Sequence, residues 1–249
     1  MTSLNRAIGP GQMMLYGIGS MMGAGIYGLV GKAAGILGSA MWMAFLVAMV
    51  AALLTGLSYA SIASRYPKAA GAAYATHRAY GRPWLSYVVG LAVVASGIAS
   101  SATQSKVVAL HLNSLLGWHT GLAVAGVPLE IILLAIGFLM LVGGIVYRGI
   151  SESLWANTVC TLIEAGGLVL VIAVGIRFWG DTDLTQLPVT PANPDGALTG
   201  ALLLQGAVLT FFSFLGFEDM LNVSEEVKRP ERNMPIAMIG AMLIVSLLY

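Results

Sequence analysis

An all-α membrane fold with several spanning helices is predicted by three observations. Of the 249 residues, 58% are hydrophobic and only 9% are charged. The mean hydropathy is +0.86, and such values exclude a water-soluble domain. The apolar residues gather into stretches of about 20 residues or more, the length that crosses a bilayer core. The basic residues collect in alternate connections between those stretches, as expected of a chain that weaves through a membrane.

Six segments meet the length criterion: Gln12–Ala34, Ser39–Ala63, Pro83–Leu110, Leu129–Tyr147, Leu154–Trp179 and Leu198–Asn222. A seventh run, Ile236–Tyr249, opens after Pro235. At 1.5 Å per residue it reaches about 21 Å, short of a core about 30 Å thick. The chain is therefore expected to stop inside a span and to be a portion of a longer protein, with residues 1–249 forming one multi-pass domain. Arg6 ahead of the first apolar stretch looks like the start of a signal sequence, but no small-residue cleavage site follows. That stretch is read as a retained span.

With the N-terminus cytoplasmic, the inner segments hold Arg6, Arg65, Lys68, Arg78, Arg82, Arg148, Lys228, Arg229 and Arg232. The outer side holds Lys32, Lys106 and Arg177. This asymmetry predicts a multi-pass protein of the plasma (inner) membrane with its N-terminus inside. The Asp181–Ala197 connection, with three prolines and three aspartates, reads as an exposed external loop.

A formal net charge of +1 gives no argument for a nucleic-acid partner. Cys160 is a single cysteine within an apolar run, so neither disulfides nor a thiolate metal site is implied. His77, His111 and His119 are scattered over different connections. No metal and no cofactor are expected; the implied partners are a small-molecule substrate and membrane lipid.

The first span carries five glycines between Gly17 and Gly28, and each helix-interior glycine costs about 1 kcal/mol relative to alanine. Gly23-Ala24-Gly25 leaves the backbone unshielded near mid-bilayer, which is tolerated where it lines a cavity or meets a ligand. A discontinuous helix there is a mark of secondary transporters. Its N–H groups and half-helix N-terminus carry partial positive charge suited to a carboxylate. The alternative is a glycine-lined helix crossing, since Gly19-x-x-x-Gly23 is also a small-residue packing motif. Gly23-x-Gly25-x-x-Gly28 matches the dinucleotide fingerprint too, but no βαβ unit surrounds it.

Span six reads FFSFLGFEDMLN, with Phe211, Phe212, Phe214 and Phe217 around Gly216, followed by Glu218 and Asp219. A carboxylate at helix centre costs about 2.5–3.5 kcal/mol to insert, so it faces a cavity or a partner. Glycine before an acid suggests a second break; the aromatic rings taken together read as core. Glu164 in span five is flanked by apolar residues and by Gly166-Gly167. It reads either as an interhelical carboxyl held by a serine or threonine or as a proton or cation site. Ser96, Ser100 and Thr103 in span three share one helical face, which suits hydroxyl-mediated packing or a hydrated path.

With these residues in view, the chain resembles the amino acid–polyamine–organocation (APC) superfamily of permeases over essentially its whole length. The most specific part is Ser224-Glu225-Glu226-Val227-Lys228-Arg229-Pro230-Glu231-Arg232-Asn233-Met234-Pro235, similar to the family's E-E-x-x-x-P-x-R-x-x-P signature. Gly23-Ala24-Gly25-Ile26 resembles its G-[SA]-G-I element. Pro67 followed by Gly71-Ala72-Ala73-Tyr74 resembles its P-x-x-G-G-x-Y run, with Ala72 replacing a usual glycine.

The resemblance implies an inverted-repeat fold with spans one and six unwound at their centres, of which this chain would hold the first repeat, span six and part of span seven. It implies substrate held by Gly23, Ala24, Gly25 and Ile26 of the first break and by Phe212, Gly216 and Glu218 of the second. Phe212 stands where relatives place a gating ring, and Glu218 where some place a gating or coupling acid. Some proton-coupled relatives carry a lysine where this chain has Glu164, and the usual acid near the end of span two is Ser61 here.

The expected function is secondary active transport of an amino acid or related organic amine by alternating access, with protons as the coupling ion. The alternative is a truncated, non-transporting fragment or interaction module of such a permease. An intramembrane enzyme would need a nucleophile–base pair or a metal constellation within the spans, and the sequence shows neither.

Overall fold

The computed structural model describes residues 6–181, 183–189, 193 and 195–249. Met1–Asn5, Thr182, Thr190–Ala192 and Pro194, part of the predicted external loop among them, lie outside the described residues. In chain order the helices are α1 (Pro10–Met21), α2 (Ala24–Leu37), α3 (Met41–Arg65), α4 (Gly71–Tyr80), α5 (Pro83–Leu116), α6 (Leu129–Arg148), α7 (Ile150–Gly175), α8 (Gly200–Phe211), α9 (Asp219–Asn222) and α10 (Pro230–Leu248). Two-residue strands β1 (Ala123–Val124) and β2 (Val127–Pro128) form a small hairpin before α6.

Among the described residues, six helical stretches are long and apolar enough to cross a membrane: Gly25–Arg65, Pro83–Leu116, Leu129–Arg148, Ile150–Phe178, Gly200–Asn222 and Pro230–Leu248. The architecture is that of an all-α, multi-pass membrane protein. Two compact units are present, Met1–Ala75 with Asn157–Tyr249, and Thr76–Ala156.

In the first unit, α3 packs against α8 and α10, α1 against α10, and α2 against α8. Ala44, Ala48, Ala52 and Ala60 recur at four-residue multiples along α3 and are at most 2% exposed, which gives one continuous face of small side chains. From α10, Ala237, Met238, Ala241, Met242 and Val245 are buried, and the Met242 sulfur reaches the space left by Gly56. Small residues on one helix and unbranched methionines on the other let two helices approach closely where water-driven association is absent.

The first predicted span is two helices, as its glycines foretold. The seventh differs from expectation: α10 begins at Pro230, and Pro235 lies inside it. An interior proline costs about 3 kcal/mol in mid-helix, which placed the sequence-based start after Pro235. Pro235 is the sixth residue of α10, past the four amides that lack intrahelical partners, so it gives up one main-chain bond and the helix runs through it. Pro230 occupies the first turn, and the Asn233 side-chain amide donates to the Lys228 carbonyl. At 19 residues the helix is about 28 Å long, not 21 Å.

The described part of the Asp181–Ala197 connection is largely exposed, as expected of it, but it carries one buried anchor. Ser39 N–H donates to the Gln186 carbonyl (3.1 Å) and the Trp42 indole to the Leu184 carbonyl (2.9 Å). Leu187 is buried with Leu37, Ala40 and Ala44. Its polar composition concealed one apolar anchor, which ties the loop to the turn between α2 and α3.

In the second unit α5 packs against α6. Ser96, Ser100 and Thr103 are exposed on α5. Thr103 bonds back to the Ala99 carbonyl (2.9 Å), and Ser100 accepts from Gln104 (3.2 Å). Ser100 and Thr103 thus find partners within their own helix.

Candidate functional site

The first break separates α1 from α2. Met22 ends α1 with its N–H on the Ile18 carbonyl (2.9 Å), and Gly23 turns the chain with ψ −147°, a value no helix takes. α2 then starts at Ala24, so the N-terminal amides of a half-helix open at this point, without carbonyls a turn earlier to receive them. Ala24 contributes its backbone here, and its side chain lies outside the described residues. Ile26 is 4% exposed.

The second break has a different construction. α8 tightens into a single turn over Phe212–Phe214, Leu215 becomes extended (ψ 150°), and Gly216 takes φ +124°. That backbone is open to glycine and strained for any residue with a Cβ. The interruption leaves the Gly216 N–H without a helical carbonyl, and the Glu218 carboxylate accepts it at 2.8 Å. Glu218 thus caps the break it follows, a role its sequence position suggested only in outline. Ser213 is fully buried, and its hydroxyl has no hydrogen-bond partner among the described residues.

The two breaks meet. A Cβ built on Gly216 would touch the Ser20 carbonyl oxygen and lie 2.6 Å from the Ser20 carbonyl carbon and 2.9 Å from the Met21 nitrogen. One built on Gly25 would lie 3.0 Å from Ser213 Cα and 3.2 Å from the Phe212 carbonyl oxygen. The electropositive start of α2 therefore abuts a carbonyl of the second break. Both glycines are required by close approach of main chain to main chain.

Of the predicted residues, Gly23, Ala24, Gly25, Ile26, Gly216 and Glu218 are at the paired breaks. Phe212 brings its carbonyl there, while its ring belongs to a residue 57% exposed. Phe214 and Phe217, at 1% and 2% exposure, are core. Glu164 is half-buried, and no serine or threonine holds its carboxylate among the described residues. Instead its main-chain carbonyl accepts the Tyr27 hydroxyl (2.8 Å). Gly19, the packing alternative, serves packing: its missing side chain leaves room for Thr161 and Asn157 of α7.

Three contributors escaped sequence reasoning. Tyr249 donates its hydroxyl to the Met21 carbonyl at the first break (3.0 Å) and packs against Phe214, ring centroids 5.3 Å apart and planes tilted by 57°. Ser213 had a faint signal, a lone hydroxyl in an aromatic run ahead of a glycine. Asn157, whose amide nitrogen is buried without a partner among the described residues, had none.

The charged segment after span six forms a clamp. Ile8 N–H donates to the Glu226 carbonyl (3.0 Å), and Lys228 N–H to the Ile8 carbonyl (2.9 Å). Glu225 takes the Lys68 ammonium on Oε1 (2.9 Å) and the Ala69 N–H on Oε2 (3.1 Å). Gly71, at φ +50°, gives the space its Cβ would fill to the Asn222 carboxamide. The signature thus ties the N-terminal segment around Ile8 and the start of α4 to the start of α10.

Lys68 and the Ala69 amide hold the Glu225 carboxyl below its ordinary value of 4.5. A depressed carboxyl stabilises the fold above its unfolded value, and that contribution disappears as pH falls through the lowered one. Detergent-solubilised protein taken from about pH 6 to about pH 3 should lose thermal stability by a component that Glu225→Gln lacks. Identical pH curves for the two proteins would remove the clamp assignment.

A family described as amino acid permease matches residues 10–249. The chain is 30% identical over 259 residues to the chloroplastic cationic amino acid transporter 9 of Arabidopsis thaliana, covering 99% of this chain and 44% of that protein. It is 32% identical over 262 residues to the methylthioribose transporter of Bacillus subtilis (strain 168), covering 99% and 54%. The branched-chain amino acid permease BcaP of the same organism is 29% identical over 266 residues, covering 99% and 53%. The chain spans about half the length of these relatives, or less.

Proposed function

The chain belongs to the amino acid permease family of the APC superfamily, and on that premise we propose that it is the N-terminal part of a secondary transporter for amino acids or related amines, not of an enzyme. One observation carries the reading: the start of α2 and the Phe212 carbonyl stand together at the centre of two interrupted spans. An amino acid carries a carboxylate and an ammonium on neighbouring atoms. The first suits helix N-terminal amides, and the second suits main-chain carbonyls. Gly23, Ala24, Gly25 and Ile26 are assigned to the carboxylate, and Phe212, Ser213 and Gly216 to the amine.

Main-chain recognition of the shared head group leaves side-chain selectivity to other residues. This agrees with a family whose named relatives handle cationic and branched-chain amino acids and methylthioribose. Transport proceeds by alternating access about the two breaks, across a plasma membrane with the N-terminus inside. Protons are the coupling ion, with Glu164 and Glu218 as the acids that respond.

The test is uptake of labelled amino acids by the full-length protein in proteoliposomes. Glu218→Gln keeps an acceptor for the Gly216 amide, whereas Glu218→Ala removes it. Alanine should lower uptake about tenfold or more, the value of one lost charge-assisted bond. Glutamine should fall between alanine and wild type if the charge also matters. Glu164→Gln should flatten the pH profile of uptake. Wild-type rates in Glu218→Ala would remove the role assigned to that residue, and an unchanged profile in Glu164→Gln would leave Glu164 as packing.

A further inference from the structure

A cleft of about 240 Å³ lies between the N-terminal segment before α1, the end of α3 and the segment before α10, away from the paired breaks. Arg6, Arg65, Lys68 and Glu225 line it, three cations against one carboxylate, a net charge of two positive. Both oxygens of that carboxylate are engaged, by Lys68 and the Ala69 amide. Neither Arg6 nor Arg65 has an acidic partner within 4.0 Å among the described residues.

Solvated arginines on long side chains are ordinary at a surface. These differ because their backbones are fixed. Ile8, two residues after Arg6, is paired on both its N–H and its carbonyl. Arg65 stands in the last turn of α3, and Pro67 follows where the helix has ended. Three cations held in one concavity repel one another, and a bound anion relieves that repulsion while satisfying guanidinium donors in their planar fork.

Depth adds a second argument. Arg65 closes the apolar stretch Gly25–Arg65, so the cleft sits where hydrocarbon gives way to head groups. The volume admits a phosphoryl group with several waters, each occupying about 30 Å³ in the liquid.

We propose that this cleft binds a phosphoryl oxyanion, a phosphate mono- or diester, gripped by Arg6 and Arg65 with Lys68 as the third donor. The chemistry is the same for an anionic lipid head group and for a soluble phosphate. Glu225 opposes the ligand by holding Lys68. Binding therefore competes with the clamp, and an anion in the cleft loosens the tie between Lys68 and the segment before α10.

The test uses the full-length protein in detergent, with binding read by thermal shift and by native mass spectrometry. The probes are inorganic phosphate, phosphatidylglycerol and phosphatidylcholine, with chloride as the anion control. Phosphatidylglycerol or phosphate should stabilise the protein with saturation, and phosphatidylcholine should not. Arg6→Gln/Arg65→Gln should weaken binding about tenfold or more, as expected for two lost charge-assisted contacts. Arg82→Gln/Arg148→Gln, with the same loss of charge outside the cleft, should leave it within about twofold.

Glu225→Gln should bind more tightly than wild type, an outcome that unfolding does not imitate. Displacement of phosphatidylglycerol by phosphate marks a soluble ligand, and lipid binding that phosphate leaves untouched marks the head group. Equal loss in both arginine pairs would overturn the proposal in favour of diffuse surface charge. So would wild-type protein that fails to distinguish phosphatidylglycerol and phosphate from phosphatidylcholine and chloride.

Discussion

Gly216→Val is expected to destabilise the protein by about 3–5 kcal/mol, the sum of backbone strain at a position open to glycine and overpacking in a filled interior. Gly216 has φ +124°, and its missing Cβ would meet the Ser20 carbonyl and crowd the Met21 nitrogen. The obstructing atoms are main chain on a neighbouring helix, so no side chain can rotate away. Relief requires the two breaks to separate, which also parts the second break from the Ser20–Met21 turn. The variant should melt earlier in detergent and lose uptake in proteoliposomes together. A variant that keeps wild-type melting would mean the spans are not in contact there.

Gly25→Leu is expected to affect binding more than folding. A Cβ at Gly25 would stand 3.0 Å from Ser213 Cα and 3.2 Å from the Phe212 carbonyl oxygen, main-chain atoms that would have to give by a few tenths of an ångström. The remaining leucine atoms would fill the space beside the α2 N-terminus, where a carboxylate is assigned. Retention of a labelled amino acid should fall by about a hundredfold or more, equivalent to nearly 3 kcal/mol. Gly25→Ala should give an intermediate loss, and both variants should elute as the wild type does on size exclusion. Full retention by Gly25→Leu would place the substrate elsewhere.

The sequence was most informative where one residue type has one physical use. Glycine at mid-span located both breaks, because only ligand-lining or tightly packed backbone tolerates it in lipid. It was least informative where context decides. Pro235 read as a helix start because an interior proline is costly, yet α10 runs through it at the loss of one main-chain bond. Leu187 was hidden among polar loop residues, since one apolar anchor does not change a composition. Glu218 was picked out by its charge, yet what it does depends on the Gly216 amide 2.8 Å away.

The signature after span six could be recognised as a pattern without its purpose. Its spacing of acids and prolines reflects contacts with Lys68, Ala69 and Ile8, all distant along the chain. Tyr249 reaches Met21 across 228 positions, and nothing local in either residue predicts it.

From the amino-acid order alone came the all-helical membrane class and the two points where helices must yield. Those properties follow from hydropathy and backbone freedom, which act within a few residues. Which atoms stand opposite each break, which carboxylate caps and which clamps, and where three cations converge were decided only in three dimensions. Hydrogen bonds and charge contacts act over a few ångströms in space whatever their separation along the chain, so only the packed helices could bring those partners together.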